Sequence, residues 1–310
     1  MHLLIPFACS HTPACLQALQ PLQLPHLEKL LGRLALADND MGTDASLTPP
    51  HDRVSAGLHG MQAPDGCVAW AAHEVALGGR DPSAQAWAWI TPVHWDVGAD
   101  HITMADPRTL DLQEAESREL LLAMQPFFAE DGIALEYATP QRWLAQGEVF
   151  DDLPSASLDR VAGREISNWM PGAASLRRLQ NEMQMLLFTH PVNDARGTRG
   201  LAAVNSFWVS GTGKLPESAA RNHPADLVVP DTLRGAALAQ DWAIWAQSWM
   251  HIDGNQCRAA LDSLGSNHAV QLSLCGERGV LRFEPARDGM LRQLRRRFTR
   301  TTLQSLQDQL

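Results

Sequence analysis

Residues 174–214 place the tightest constraint on what this chain can fold into. Leu176, Leu179, Met183, Leu186 and Leu187 fall at i, i+3, i+7, i+10 and i+11, which draws one apolar stripe along a helix. His190 and Pro191 follow, and a proline, having no N–H to donate, stops that helix. The polar stretch with Asn193, Asp194, Arg196 and Arg199 then reads as a loop, and Val204–Val209 reads as a strand. Gly211-Thr212-Gly213-Lys214 reads as the turn that ends it. A helix whose stripe must lie on something, delivered straight to a core strand, implies helices packed on a sheet.

The rest of the chain repeats that alternation. Residues 2–8 read as a short buried strand, and Leu27, Leu30, Leu31 and Leu34 place a helix over 26–36. Asp38 to Pro50 reads as an exposed loop, and 51–78 as a helical pair broken at Ala63-Pro64-Asp65-Gly66. Trp87, Trp89, Thr91 and Val93 alternate as a strand, with a second run at 101–105. Asp111-Leu112-Gln113-Glu114 reads as a capping box opening a helix to about Gln125, before Pro126. Ile133–Thr139 is a strand; 147–172 is rich in breaks and marks the best boundary candidate. Trp242, Trp245 and Trp249 ride on a helix within 231–250. Val270–Leu274 and Val280–Phe283 form a hairpin, and an arginine-rich helix begins near Met290. The expectation is an α/β fold: a mixed, mostly parallel sheet flanked by helices, with a C-terminal β-hairpin and helix. It forms a single domain over 1–310, divisible into lobes 1–165 and 166–310.

Charge and cysteine content narrow the function classes. The 310 residues carry a formal net charge of −10, which argues against a nucleic-acid partner. No apolar run approaches the roughly 18 residues a membrane span requires, and no signal peptide is readable. Five scattered cysteines without a paired framework fit a reducing compartment, so the expected location is the cytoplasm. Ten tryptophans against one tyrosine point mainly to core packing.

Several local patterns can be weighed as chemistry. Gly211-Thr212-Gly213-Lys214 is not a P-loop, because Trp208 stands where the first glycine belongs and Leu215 follows the lysine. Asn193, Arg196 and Asn205, with Gly211, Gly213 and Lys214, could clamp an anionic ligand, since Arg offers a planar donor fork and glycines admit backbone N–H groups. The competing reading is that Asn193 and Arg196 cap a helix and tie down the loop. His94, Asp96, Asp100, His101 and Asp106 are the densest set of potential metal ligands, although acids near strand ends are usually turn residues. Cys9, His11 and Cys15 lack a second ligand pair for structural zinc.

The order His190-x-Val192-Asn193-x-x-Arg196, then Gly200, Asn205-Ser206-Phe207-Trp208-Val209-Ser210 and Gly211-Thr212-Gly213-Lys214, resembles a segment of the archaeal-type, cofactor-independent phosphoglycerate mutases. A resemblance nearly end to end is to bacterial RpfE-type regulatory proteins, often labelled mutases by similarity. It rests on Leu47-Thr48-Pro49-Pro50-His51, Thr91-Pro92-Val93-His94-Trp95 and Ala105-Asp106-Pro107, and on Glu114-Ala115-Glu116-Ser117, Ser157-Leu158-Asp159-Arg160 and Leu274-Cys275-Gly276-Glu277-Arg278. This implies a fold of the alkaline phosphatase superfamily, where two divalent metals (Mn²⁺ or Mg²⁺) activate a serine. The mutases' first strand ends in a metal-binding Asp-Gly, whereas here Leu4-Ile5-Pro6-Phe7-Ala8 runs into Cys9-Ser10, and the later ligand set is not recognisable. Two functions follow as expectations. One is a mutase-like phosphotransferase with Arg196, Asn193, Asn205 and Lys214 on the substrate. The other is a regulatory protein that binds a small phosphorylated or anionic ligand, or a protein partner, after losing the metal centre.

Overall fold

The structure is a computed structural model that describes residues 1–82, 85–217, 219, 224, 226–285 and 301–310. Its strands are β1 (His2–Ile5), β2 (Leu34–Met41), β3 (Trp87–Val93), β4 (Trp95–Val97), β5 (Ile102–Met104), β6 (Ala134–Thr139), β7 (Arg142–Gln146), β8 (Ser206–Gly213), β9 (Leu227–Val228), β10 (Gln271–Cys275) and β11 (Gly279–Pro285). The helices that matter below are α1 (Pro13–Leu19), α2 (Pro25–Leu31), α3 (Pro50–Leu58), α4 (Trp70–Leu77), α5 (Glu114–Glu130), α6 (Ala174–Phe188), α7 (Pro191–Thr198), α8 (Trp242–Ile252) and α9 (Arg258–Gly265). The α/β class, with a mixed sheet flanked by helices and a β10–β11 hairpin, is the one expected. The arginine-rich helix expected from Met290 lies outside the described residues.

The chain divides into two compact units, one of residues 1–45, 49–55 and 224–310, the other of 46–48 and 56–223. A division at 165 is therefore corrected. Strand β3 pairs with β8 from Trp87↔Gly213 to Val93↔Ser206, so one sheet draws on residues from both sides of that point.

The first unit is built on a five-stranded sheet in the order β2-β11-β10-β1-β9. Strand β1 is parallel to both β10 and β9, while β10–β11 and β11–β2 are antiparallel. Because side chains alternate across a strand, Leu3, Ile5, Leu272, Leu274, Leu281 and Phe283 share one buried apolar face with Leu27 and Leu30 of α2 and Trp245 and Trp249 of α8. Helix α8 passes through a single π-turn, Asp253–Cys257, before continuing as α9. The turn has a use. It aims Asp253 at the start of α2, where its carboxylate accepts the backbone N–H of Leu27 at 2.7 Å and of His26 at 3.1 Å, and meets His26 Nδ1 at 2.9 Å. Leu24, the residue ahead of that helix, has no oxygen in its side chain with which to do so.

The second unit carries the four-stranded antiparallel sheet β6-β7-β3-β8. Ile90, Trp143, Phe207 and Val209 face Leu120, Met124 and Phe128 of α5 and Leu176, Leu179, Met183 and Leu187 of α6. Trp87 and Leu144 face the opposite way, onto Ala71, Ala72 and Val75 of α4. The indoles serve packing, as expected; two of the buried ones in this unit also donate, Trp143 to Ser117 Oγ at 2.9 Å and Trp208 to the Ala156 carbonyl at 2.9 Å.

Four local expectations are corrected. Leu34–Met41 is a strand rather than the end of a helix and a loop, because its backbone completes the ladder of β11. Residues 191–198 form α7 rather than a loop, since Pro191 takes the first helical position, where a missing N–H costs nothing. Gly211-Thr212-Gly213 belongs to β8 instead of ending it. The capping box of α5 is formed by Gln113 and Glu116, and the helix runs through Pro126 to Glu130.

The face of the first sheet opposite its apolar core is partly polar. His2 Nε2 lies 2.9 Å from Ser273 Oγ, and both residues are buried. Burial, then the Arg282 charge and the N-terminal ammonium, lower the His2 pKa from 6.5 to about 4. The unfolded chain therefore takes up this proton first as pH falls. Stability should drop between pH 6.5 and about 4 and level off below, in proportion to the protons bound by the unfolded state. His2→Gln should flatten that interval in urea titrations taken at successive pH values; an unchanged slope would show that His2 does not titrate this way.

Candidate functional site

The residues proposed as an anion clamp are all found in the second unit, along α7 and β8. His190 caps α7 through Nδ1, which accepts Val192 N–H at 3.3 Å. The Asn193 amide donates to the carbonyls of Leu187 (2.8 Å) and Val204 (2.7 Å) and accepts Val204 N–H (2.9 Å). Arg196 is fully buried. Its Nε donates to the Ala202 carbonyl at 2.8 Å, Nη1 to Glu116 Oε2 at 2.7 Å, and Nη2 to the Leu110 carbonyl. Arg199 closes on the other Glu116 oxygen. Asn205 exchanges two hydrogen bonds with the Trp95 backbone, 2.7 Å and 2.8 Å, in the manner of a strand pair.

At the far end of β8, Lys214 pairs with Asp151, and Gly211 sits at φ +64° against Trp89 and Trp70. A Cβ on Gly211 would stand 2.9 Å from Trp89 Cε3, so close packing in a left-handed conformation requires glycine there. Gly213 closes the same strand at φ +131°. Strand residues advance about 3.3 Å each, so Asn205 and Lys214 stand roughly 25 Å apart or more. Arg196 and Asn205 therefore cannot share one small ligand with Lys214. The segment ties α5, α7 and β8 together instead.

The metal-ligand candidates do not converge either. His94 bonds the Ala203 carbonyl at 2.7 Å and Asp96 at 3.1 Å, His101 bonds Asp100 at 2.9 Å, and Asp106 accepts Arg108 N–H at 3.2 Å at the start of a 3₁₀ turn. Among the described residues no three His, Cys, Asp or Glu side chains gather in a form able to hold a metal ion. The donor set implied by two-metal phosphoryl transfer does not fit them.

A different place carries the marks of a site: the loop after β1 in the first unit. In open α/β sheets ligands gather at the carboxyl ends of the parallel strands, and this loop leaves that end of β1 beside the end of β10. Phe7 is held at φ +55°, a left-handed conformation that is strained for a bulky residue. Neighbours enforce it. The Phe7 carbonyl accepts Trp245 Nε1 at 2.9 Å, the Ala8 carbonyl accepts Trp249 Nε1 at 3.1 Å, and Ala8 N–H donates to the Cys275 carbonyl at 2.8 Å. The rings of Phe7 and His51 stand 5.1 Å apart.

Next in the chain, Cys9 and Cys15 are buried, and Cys9 Sγ lies 3.6 Å from the Ser10 carbonyl. The influence of the Cys15 thiol, reinforced by burial, pushes the Cys9 thiol up, and that of the Cys9 thiol pulls the Cys15 thiol below its ordinary value against its own burial. Thr12 caps α1 by accepting Cys15 N–H at 3.3 Å, and Ser10 Oγ accepts Thr12 N–H at 3.2 Å. Sequence reasoning weighed Cys9 and Cys15 only as zinc ligands. The available signal was their place directly after the first strand.

No family model matches the chain, and no curated protein does. Two solved structures are similar at low identity. They are the cofactor-independent phosphoglycerate mutase from Thermoplasma acidophilum DSM 1728 (16% identity, TM-score 0.38, 93% of this chain and 90% of that one) and the PH0037 protein from Pyrococcus horikoshii (12% identity, TM-score 0.38, 92% and 87%). Likeness at that level assigns no function.

Arg196→Ala should lower the unfolding free energy by about 3 kcal/mol, the scale of breaking a buried charge pair, when measured by urea denaturation. The stabilisation is acid-sensitive. Burial raises the Glu116 carboxyl, but the Gln113 N–H and the guanidiniums of Arg196 and Arg199 outweigh it and leave the group below the usual range. The pair's contribution is thus fully present above about pH 4.5 and fades as acid titrates Glu116. A neutral effect of Arg196→Ala on stability would return this residue to the ligand-binding role.

Proposed function

We propose that the protein is a regulatory binding protein on a phosphoglycerate-mutase-like scaffold, of the RpfE type, that takes a small phosphorylated or anionic ligand without transferring its phosphoryl group. The observation that carries the absence of phosphoryl transfer in this reading is the state of Asn193, Arg196 and Asn205. The donors of the mutase-like signature are spent on main-chain carbonyls and on Glu116, so the signature serves as frame. The end of β1 adds support, because Phe7-Ala8-Cys9-Ser10 stands where the mutases place a metal-binding Asp-Gly. Phosphoryl transfer without that clamp lacks both charge stabilisation and an activated nucleophile. Five unpaired cysteines support a reducing, cytoplasmic setting. No helix among the described residues is long and apolar enough to cross a membrane.

The test pairs turnover with binding. With Mn²⁺ or Mg²⁺ present, purified protein should leave 2- and 3-phosphoglycerate unconverted while an established mutase beside it equilibrates them. Calorimetric titration with 3-phosphoglycerate or inorganic phosphate should give saturable heat. Turnover above background would overturn the reading in favour of a mutase-like phosphotransferase. Absence of both turnover and heat would remove the small anionic ligand and leave a protein partner as the target.

A further inference from the structure

We propose that the outward face of α8 is the surface through which two copies of this chain pair about a two-fold axis. Helix α8 contains no Asp, Glu, Lys or Arg, in a chain of which 19% of residues are charged. Trp242, Trp245, Trp249 and Ile252 are buried in the core of the first unit. A surface helix ordinarily carries its charges opposite such a stripe, and a helix that is apolar all round is a covered one. Here the opposite face presents Ala243, Ile244, Gln247, Met250 and His251, all exposed, with Ile244 at 53% and Met250 at 54%. Nothing among the described residues covers it.

Charge selects the partner. The chain carries a formal net charge of −10, so two copies repel wherever their charged surfaces meet. The face of α8 meets its own copy with no fixed charge opposed to another. Its pattern is also self-complementary. In an isologous contact, residue i meets residue j of the copy, and j meets i. With about 3.6 residues per turn, Gln247 lies at the centre of the exposed face, and a two-fold axis through it sets α8 antiparallel to its copy. Ile244 and Met250, three residues to either side of Gln247, then meet each other across the axis. Ala243 and His251, four residues to either side, do the same. Apolar meets apolar, a small side chain meets a large one, and the Gln247 amide, donor and acceptor at once, meets its own counterpart. From Ala243 to His251 the face is only about 12 Å long. It covers less than the roughly 800 Å² per partner of a standard interface, so pairing is weak and concentration-dependent.

Sedimentation equilibrium of the full chain, from low-micromolar to near-millimolar protein, reads the outcome. The weight-average mass should rise from 34.0 kDa toward twice that value as concentration increases. Gln247→Glu sets a carboxylate against its own copy on the axis and should weaken pairing by about tenfold or more; Gln247→Lys should do the same. Mixed in equal amounts, the two variants bring opposite charges together there, and the mass should rise above that of either variant alone. Position 247 is exposed, so urea unfolding of both variants at a concentration where the wild type is monomeric should match the wild type. A chain that stays at the monomer mass throughout overturns the proposal and leaves this face to a different protein. A dimer that Gln247→Glu leaves intact, or that the mixture fails to restore, overturns it equally.

Discussion

Strand β1 is buried along its whole length and can be satisfied only by strands that arrive much later in the chain. His2 stands opposite Leu227 on one side and Gln271 on the other, in parallel register on both. Parallel neighbours require a crossover, and here the crossover from β1 to β9 spans residues 6–226, the whole sequence of the second unit included. The apolar face made by Leu3, Ile5, Leu272, Leu274 and Leu281 is therefore incomplete until the last third of the chain is in place. The entropy of closing so long a loop grows only slowly with its length, so stability is affected less than rate. The second unit has no such dependence. Its sheet and the helices that cover it lie within one continuous stretch, apart from three residues at 46–48.

Legibility in the sequence followed burial pattern. Helix α6 was plain because one apolar stripe is stamped into it with the right period, and β3 and the β10–β11 hairpin because runs of buried residues of strand length are bounded by turn residues. Strand β2 was not, since six of its eight residues are exposed and Asp38, Asn39 and Asp40 carry the composition of a loop. It is a strand because β11 offers an unpaired backbone edge, a fact held by another part of the chain. Charges on an exposed edge strand also hinder pairing with other molecules, so the loop-like composition has a physical use. Gly211 and Gly213 misled in the same way. Glycines at positive φ usually announce a turn, but here the close packing of Trp89 and Trp70 on β8 requires glycine at 211, and the backbone of Gly213 at φ +131° closes the same strand.

The candidate site shows why residue types alone cannot separate a ligand clamp from a frame. An anion requires N–H donors held in fixed geometry, and so do the orphan carbonyls at helix ends and strand entries. Asn193 and Arg196 meet the second need with the chemistry suited to the first. What distinguishes the cases is exposure. A guanidinium that is fully buried, already bonded to two carbonyls and a carboxylate, has no free face to offer. Spacing in sequence is silent on that point, because Leu110 and Glu116 lie some eighty residues before Arg196.

The loop after β1 presents the opposite case, plain in the structure and faint in the sequence. A left-handed conformation at a bulky residue costs on the order of 1–3 kcal/mol. Two indole hydrogen bonds and one backbone bond, each worth about 1 kcal/mol net, are enough to offset it. A simple connector would not need this arrangement, since glycine at position 7 would adopt the same backbone without strain. What Phe7 adds is a ring against His51 and a stiff exit from β1. The tryptophan-bearing helix thus serves the core and, through Trp245 and Trp249, holds the main chain of that loop. The chemical potential of this chain is better sought where strain and burial coincide than where arginines are frequent.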